Sequence, residues 1–387
     1  MNRWRIVHLV LCSLGLGASL LAVYQAPTYR LWQLSILVTE WGQWLALAAL
    51  VLALAGVRGG WPGLVGALLA VAAGLLFLRP AYQAWRFAAT LPAAMERAFG
   101  PLPHLGEMPL SLEALWLEKK SQKVTPQRLE FARRGADALR LDFYASAKPG
   151  PSPVVVVIHG GGWNSGTPQE FETMNHRLAQ AGYAVAAVEY RLAPQSRWPA
   201  QREDVLAAVR YLRAHAEQLG LDGSRVVLLG RSAGGQIAEA VAYAAHDPGI
   251  RGCIAYYAPA DLAIAFTYSE PTDILNSRQL LVDYTGGTLN QAPLVYADAS
   301  GYALAGPGAC PTLLLHGRND PLVWNRQSER LDERLTELNV PHYFLELDWA
   351  THGFDFNPDG PGGQLSAFAV FGFLARVTGT DTSLGKH

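Results

Sequence analysis

The sequence predicts an α/β domain with a mostly parallel sheet, preceded by a membrane region of three apolar helices. Six apolar runs of strand length occur after residue 150, and buried strands of parallel sheets have this composition. Stretches with helical periodicity separate several of these runs, which is typical of an α/β domain. Three longer apolar segments lie within the first 80 residues, and each is long enough to cross a bilayer.

The same patterns set the boundaries of the predicted parts. Residues 127–134 and 139–145 alternate apolar and polar side chains, which indicates half-buried strands in an antiparallel start. With the six apolar runs they make eight strands. The predicted parts are a membrane region at 1–80, a tether or covering segment at 81–126, the α/β domain at 127–378 and a flexible tail at 379–387.

The apolar segments predict transmembrane helices at about 6–24, 36–56 and 61–78. Aromatic residues lie near their ends, as they do at membrane interfaces. A cleaved signal peptide is the alternative for the first segment, because Arg3 and Arg5 precede it. No small-residue cleavage site follows, however, and two further apolar segments do, so we expect three uncleaved spans.

Glu40 is the one carboxylate well within these segments. A charge at mid-bilayer costs roughly 2.5–3.5 kcal/mol on insertion scales, so we expect Glu40 at the interface, or a second span that starts near Trp41. With the basic N-terminus inside, three spans place the C-terminal domain outside. The flanking arginines, three inside against four outside, do not decide the orientation. One carboxylate is also little basis for a transporter or sensor.

Charge and cysteine content give no support to two other classes of protein, nucleic-acid-binding proteins and disulfide-stabilised domains. The formal net charge is −1, which does not favour a nucleic-acid-binding surface. The three cysteines give no disulfide framework.

A serine between a strand and a helix is the first candidate catalytic residue. Residues 230–235 read GRSAGG, which contains G-x-S-x-G after the apolar run RVVLLG and before a helical stretch. This context lifts a serine hydroxyl clear of the sheet on a sharp turn that needs small neighbours. We therefore assign Ser232 as a nucleophile. A glycine-rich turn with a capping serine is the alternative.

Two further strand ends supply partners for that serine. Asp320 follows the run PTLLLH, and His352 follows HYFLEL. A serine hydroxyl needs an imidazole to take its proton, and the imidazole needs a carboxylate to fix its tautomer. Asp348 and Asp355 are rivals for the acid, but Asp320 occupies the position expected of it.

A glycine-rich stretch follows the most apolar run. Residues 154–162 read VVVVIHGGG. Glycines let backbone N–H groups approach a ligand, and acyl transfer needs such donors for the developing oxyanion. We assign them to Gly161, Gly162 and Ala233. A phosphate cradle is disfavoured because the P-loop lysine is absent from the sequence.

Together these motifs resemble the α/β-hydrolase fold, in the branch of hormone-sensitive-lipase-like and bacterial acetyl/feruloyl (BD-FAE-type) serine esterases, which is similar to kynurenine formamidases too. The resemblance covers roughly residues 127–376. Its motifs are HGGGW at 159–163, EYRLAP at 189–194, GRSAGG at 230–235, HGRNDPLV at 316–323 and THGF at 351–354.

The resemblance implies a Ser232–His352–Asp320 triad with no metal and no organic cofactor. Arg231 departs from the family pattern, in which an acidic residue or histidine more often precedes the serine. It would favour an anionic substrate or pair with a nearby carboxylate, and we prefer the pairing. Trp163 either forms a wall of the acyl pocket or only packs.

The leading functional hypothesis is a multi-pass membrane-anchored carboxylesterase whose substrate is a small-molecule or lipid ester, with short acyl or acetyl esters first. The alternatives are an amidase, peptidase or lipase on the same fold. A non-catalytic interaction protein is disfavoured because all three triad residues are present.

Overall fold

The computed structural model describes residues 3–102, 108–117 and 122–380. An eight-stranded sheet has the strand order β1-β2-β4-β3-β5-β6-β7-β8. The strands are β1 (Gln127–Arg134), β2 (Asp137–Tyr144), β3 (Ser152–Ile158), β4 (Ala184–Val188), β5 (Leu221–Arg231), β6 (Ile250–Tyr256), β7 (Thr312–Gly317) and β8 (His342–Leu347). Strands β1 and β2 are antiparallel to their neighbours, and the other pairs are parallel. The predicted strand number and the predicted antiparallel start are confirmed.

The apolar strands lie in the centre of the sheet because both of their faces are covered. Every residue of β3 and β4 is buried, and Val156 pairs with Ala186 on one side and Leu228 on the other. Two apolar clusters, one on each face, join the sheet to the helices. These helices are α7 (Glu172–Ala181), α8 (Ala200–Ala214), α9 (Ala216–Leu219), α10 (Ala233–Ala244), α11 (Leu262–Tyr268), α12 (Ser277–Thr285), α13 (Pro293–Asp298), α14 (Gly301–Leu304), α15 (Arg326–Glu337) and α16 (Pro361–Thr378).

The N-terminal region is helical and packs partly on itself and partly on the α/β domain. Its helices are α1 (Arg3–Ser19), α2 (Tyr29–Glu40), α3 (Gly42–Gly56), α4 (Gly60–Ala88), α5 (Leu91–Phe99) and α6 (Leu112–Trp116). Helices α1, α3 and α4 pack into a bundle whose leucines are largely exposed. Small residues allow close packing there: a Cβ on Gly63 would lie 2.3 Å from the carbonyl oxygen of Gly56.

Two N-terminal helices are long and apolar enough to cross a membrane, namely Arg3–Ala22, which includes a short 3-10 turn, and Gly60–Ala88. A third candidate exists only if α2 and α3 count as one span, and they meet at 86°. Alone, α3 is about 22 Å long, short of a hydrocarbon core of about 30 Å. The predicted second span at about 36–56 is therefore not one continuous helix, because the chain turns at Trp41 and α2 packs on α16. Its apolar part, α3, begins at Gly42, and a third span stays a prediction.

Glu40 lies just before α3, which begins at Gly42, so the expected start of the second apolar helix near Trp41 agrees with the structure. The Glu40 side chain is fully buried against protein. The N–H of Gly362, in the first turn of α16, donates to Glu40 Oε2 at 3.0 Å. The amide of Asn357 donates to the Glu40 carbonyl at 3.1 Å. These two hydrogen bonds join the end of α2 to α16 and to the loop before it, so Glu40 fixes α2 to the α/β domain.

The segment predicted as a tether or cover packs on α16. Leu91, Met95 and Phe99 of α5 are buried in the apolar cluster on that face. The rings of Phe99 and Phe373 meet edge to face, with centroids 5.0 Å apart. Most of the predicted tail, residues 381–387, lies outside the described residues.

A buried carboxyl in α10 gives a prediction about stability. Glu239 is fully buried, and neither of its carboxyl oxygens has a hydrogen-bond partner within the described ranges. Burial raises the pKa of Glu239 to about 8, against roughly 4.3 in an unfolded chain. The folded protein keeps a proton that the unfolded chain loses. The contribution of Glu239 to the free energy of unfolding is therefore fully present below about pH 4. It is lost as the pH rises through about 8.

We expect Glu239→Gln to raise the melting temperature relative to the wild type at pH 8 and to change it less at pH 5. Thermal unfolding followed by circular dichroism at both pH values measures this. The exposed Glu217→Gln is the matched control and should leave the pH dependence unchanged. If the melting temperatures of the wild type and Glu239→Gln changed with pH in the same way, the proposed protonation of Glu239 would be contradicted.

Candidate active site

Ser232 lies on a strained turn between β5 and α10. Its φ and ψ are 53° and −121°, a conformation that costs a non-glycine residue roughly 1–3 kcal/mol. Glycines make the turn possible: a Cβ on Gly234 would lie 2.2 Å from the carbonyl oxygen of Ile158, and one on Gly230 would lie 2.0 Å from that of Gly234. The G-x-S-x-G pattern therefore has the strand–turn–helix context that its geometry requires.

Asp320 and His352 are joined at the same edge of the sheet. They follow β7 and β8, and His352 Nδ1 lies 2.6 Å from Asp320 Oδ2. The N–H groups of Leu322 and Val323 donate to the other carboxylate oxygen at 2.8 and 2.9 Å. An ionised carboxylate only accepts hydrogen bonds, so the His352 Nδ1–H donates and Nε2 is left to act as a base.

The charge state of Asp320 follows from its surroundings. Burial alone would raise the pKa of this carboxyl, but the imidazole of His352 and a hydrogen bond from His316 lower the pKa to about 2. His316 Nε2 lies 3.3 Å from Asp320 Oδ2, and His316 is fully buried. Asp320 is therefore ionised at any pH at which such a site would work.

Five of the predicted site residues line a cavity of about 480 Å³. Its lining includes Ser232, Asp320, Gly162, Trp163 and Ala233. His352 reaches this group through Asp320, and its ring lies 4.3 Å from that of Tyr257, centroid to centroid. Within the described residues no hydrogen bond joins Ser232 to His352. Such contacts are often long in sites without substrate.

The glycine-rich stretch after β3 passes beside the serine, since a Cβ on Gly160 would lie 3.5 Å from Ser232 Cβ. Gly161 and Gly162 have φ values of 97° and 56°, which favour glycine. Tyr190 anchors the turn, because its hydroxyl lies 3.0 and 3.1 Å from the carbonyl oxygens of His159 and Gly160. Helix α10 begins at Ala233, so the N–H of that residue has no acceptor within the helix. The three predicted oxyanion donors thus come from two adjoining turns.

Trp163 both lines the cavity and packs against neighbouring side chains. Its ring stacks on Tyr284 with centroids 4.4 Å apart. Its Nε1–H donates to Gln236 Oε1 at 2.8 Å, and the Tyr284 hydroxyl reaches the same oxygen at 2.9 Å. The position of Trp163 is therefore compatible with a wall of the acyl pocket and with a packing role.

Arg231 lies away from the cavity. Its Nε–H donates to Asp355 Oδ2 at 2.6 Å, and both side chains are buried. The Tyr257 hydroxyl donates to the other oxygen of Asp355 at 2.7 Å. This arrangement favours pairing with a carboxylate over contact with an anionic substrate.

Two residues at the site come from the region predicted to be membrane. Gln25 lines the cavity, and the Trp32 Nε1–H donates to the His352 carbonyl at 2.9 Å. No sequence signal places them there, because both lie between the predicted spans 6–24 and 36–56, where the aromatic pattern predicts a membrane interface. Among the described residues no group of three His, Cys, Asp or Glu side chains could hold a metal ion.

The sheet order, the serine turn and the buried aspartate–histidine pair define the chain as an α/β-hydrolase. The sequence profile of the BD-FAE family matches residues 141–335, which is just over half of the chain. The chain therefore belongs to the BD-FAE family.

Curated relatives and solved structures agree with this membership. Esterase LipC of Mycobacterium tuberculosis is 30% identical over 249 residues, which are 61% of this chain and 61% of the relative. The ethyl acetate hydrolase of Pseudomonas putida is 37% identical over 118 residues, 30% of this chain and 37% of the relative. The chain thus spans about three fifths of LipC and less of the second relative. A bacterial heroin esterase superposes with a TM-score of 0.58 at 26% identity, covering 69% of this chain and 88% of that one.

Proposed function

We propose that the protein is a membrane-anchored serine hydrolase that cleaves carboxylic esters through an acyl-enzyme. One observation carries the proposal: the strained turn of Ser232 and the buried Asp320–His352 pair adjoin one cavity. The esterase names of the relatives support the choice of ester bonds.

The proposed reaction has two halves. Ser232 Oγ attacks the acyl carbon while His352 Nε2 takes its proton, and Asp320 stabilises the imidazolium. The N–H groups of Gly161, Gly162 and Ala233 hold the oxyanion. The intermediate collapses, and the alcohol leaves with the proton from His352. Water, activated by the same imidazole, then attacks the acyl-serine and releases the acid.

The cavity favours an uncharged acyl group. Trp163, Leu280, Leu281 and Ile264 contribute apolar surface to its lining. The cavity lining also contains acidic side chains, which would repel an anionic acyl group. The guanidinium of Arg231 is paired with Asp355 instead. Short neutral acyl esters are the leading substrates.

The N-terminal helices support a multi-pass anchor. Helices α1 and α4 have the length and composition to cross a bilayer. The chain would cross in α1, return through α3 and cross again in α4, so the hydrolase domain would lie on the side opposite the N-terminus. Because α3 is shorter than the hydrocarbon core, this path requires the bilayer to thin locally around it. With the basic N-terminus inside, that side is extracytoplasmic.

Membrane-held esters are the second candidate substrates, because Gln25 lines the cavity. The 3-10 turn that ends the first apolar helix finishes at Ala22. Three residues of chain reach at most about 11 Å. The cavity wall is therefore close to the level at which a bilayer surface would lie, which favours a lipase-type activity over an amidase or peptidase activity.

One experiment tests both the anchor and the ester preference. Membranes from cells that express the full chain are washed with 1 M KCl and assayed with p-nitrophenyl esters of increasing acyl length. We expect the activity to remain in the membrane pellet and kcat/KM to be highest for short acyl groups. A long-chain optimum would replace the short-acyl assignment with a lipase activity. Release of the activity by salt would contradict the anchor, and no turnover on any ester would contradict the esterase proposal.

A further inference from the structure

The segment between the first apolar helix and α3, residues 23–41, contacts the backbone of the candidate triad. Gln25 Nε2 donates to the carbonyl oxygens of Asp320 at 3.2 Å and Arg318 at 3.4 Å. Trp32 Nε1 donates to the His352 carbonyl at 2.9 Å, and the two rings meet edge to face with centroids 6.3 Å apart. These hydrogen bonds join residues that are 293 to 320 positions apart in the chain.

More contacts fix this segment in the same place. The Ser35 hydroxyl lies 3.1 Å from that of Thr351, the residue before His352. The buried carboxyl group of Glu40 accepts a hydrogen bond from the N–H of Gly362, ten residues after His352. Helix α2 is therefore attached both to the loop that follows β8 and to the first turn of α16.

The topology explains why this loop needs support. Strand β8 is the edge strand of the sheet and pairs only with β7. The loop carrying His352 therefore has no further strand beside it, and α2 packs there instead. A misplacement of about 1 Å in a reacting group can cost about 100-fold in rate, so whatever holds this loop affects the chemistry.

We propose that Gln25 and Trp32 are positioning residues of the active site, which hold the Asp320–His352 pair in register with Ser232. This inference rests on the proposed serine-hydrolase function. It makes the N-terminal region a component of the site rather than a tether, because the segment that supplies both residues lies between two apolar helices.

Trp32→Phe and Gln25→Ala test the proposal in the full-length protein. Trp32→Phe keeps an aromatic ring but removes the N–H donor, and Gln25→Ala removes the amide from an exposed position. Loss of a hydrogen bond to a positioned carbonyl corresponds to about a 10-fold effect. We expect kcat for p-nitrophenyl acetate, per active site titrated by the burst of p-nitrophenol, to fall about 10-fold in each variant. KM should change by less than about threefold.

The pH profile separates positioning from folding. If the imidazole is displaced from Asp320, the limb of kcat/KM that reports its protonation shifts, whereas a smaller fraction of folded protein leaves the limb in place. Trp61→Phe is the matched control, because Trp61 is exposed at the start of α4 and far from the site along the bundle. It should match the wild type in kcat and in pH profile.

Two results would overturn the inference. Both variants could retain the wild-type kcat per titrated site and the wild-type pH profile, with or without a lower melting temperature. Alternatively, Trp61→Phe could lower kcat as much as Trp32→Phe does. Failure of the proposed serine-hydrolase function can be distinguished from failure of this inference. In that case the wild-type protein itself would show no burst and no turnover that depends on Ser232.

Discussion

Ser232→Ala is expected to lower kcat for ester hydrolysis by about 10⁶-fold, to the background of the assay. Removing the nucleophile of a serine hydrolase abolishes the acyl-enzyme route and leaves only binding and oxyanion stabilisation. Ser232 is the serine for which the fold maintains a strained backbone, with φ at 53°. The measurement is the steady-state rate on p-nitrophenyl acetate with purified protein in detergent.

The control for this variant lies on the same strand. Ser224 is exposed near the opposite end of β5, so Ser224→Ala should keep the wild-type rate. A Ser232→Ala protein that folds normally and retains more than about a hundredth of the activity would contradict the assignment of the nucleophile.

Asp320→Asn is expected to lower kcat by about 10⁴-fold with little change in KM. The carboxylate accepts the Nδ1–H of His352 at 2.6 Å, and an amide at this position would allow the wrong imidazole tautomer. The substitution nearly preserves volume in a fully buried site, so the loss should exceed any change in the folded fraction.

Asp348→Asn is the matched control, because Asp348 is a rival for the acid position. Its carboxylate pairs with Arg318 at 3.0 Å and is half exposed. We expect a rate within about twofold of the wild type. If Asp348→Asn were the more damaging change, the acid of the triad would be misassigned.

The sheet and the candidate triad can be predicted from the sequence because both depend on local patterns. A run such as VVVVI can only be buried on both faces, and β3 is indeed central. Ser232, Asp320 and His352 each follow a recognisable strand. Since carboxyl ends of parallel strands meet at one edge, their proximity can be inferred without knowing any contact.

The position of α2 cannot be predicted in this way, for a physical reason. Residues 29–40 combine apolar side chains with Trp32 and Glu40, and the same composition suits a membrane span with an interfacial end. What decides the outcome is a set of distant partners: the N-terminus of α16 for Glu40 and the His352 carbonyl for Trp32. The paired residues are more than 300 positions apart in the chain, so the local sequence around α2 contains no pattern that predicts these contacts.

The same limit applies to Arg231. The sequence leaves two interpretations of that residue open, and its partner Asp355 lies 124 positions along the chain. A charged residue next to a nucleophile suggests a role in binding substrate, but only its partner determines whether the charge is available.

The most direct test of the proposed mechanism is covalent labelling of the full-length protein with a fluorophosphonate, followed by mass spectrometry of the peptides. A fluorophosphonate reacts with a serine activated by a neighbouring base. We predict one adduct, on Ser232, with labelling lost in Ser232→Ala and strongly slowed in Asp320→Asn. Ester hydrolysis that proceeds without an adduct on Ser232, or an adduct on another residue that blocks it, would contradict the mechanism.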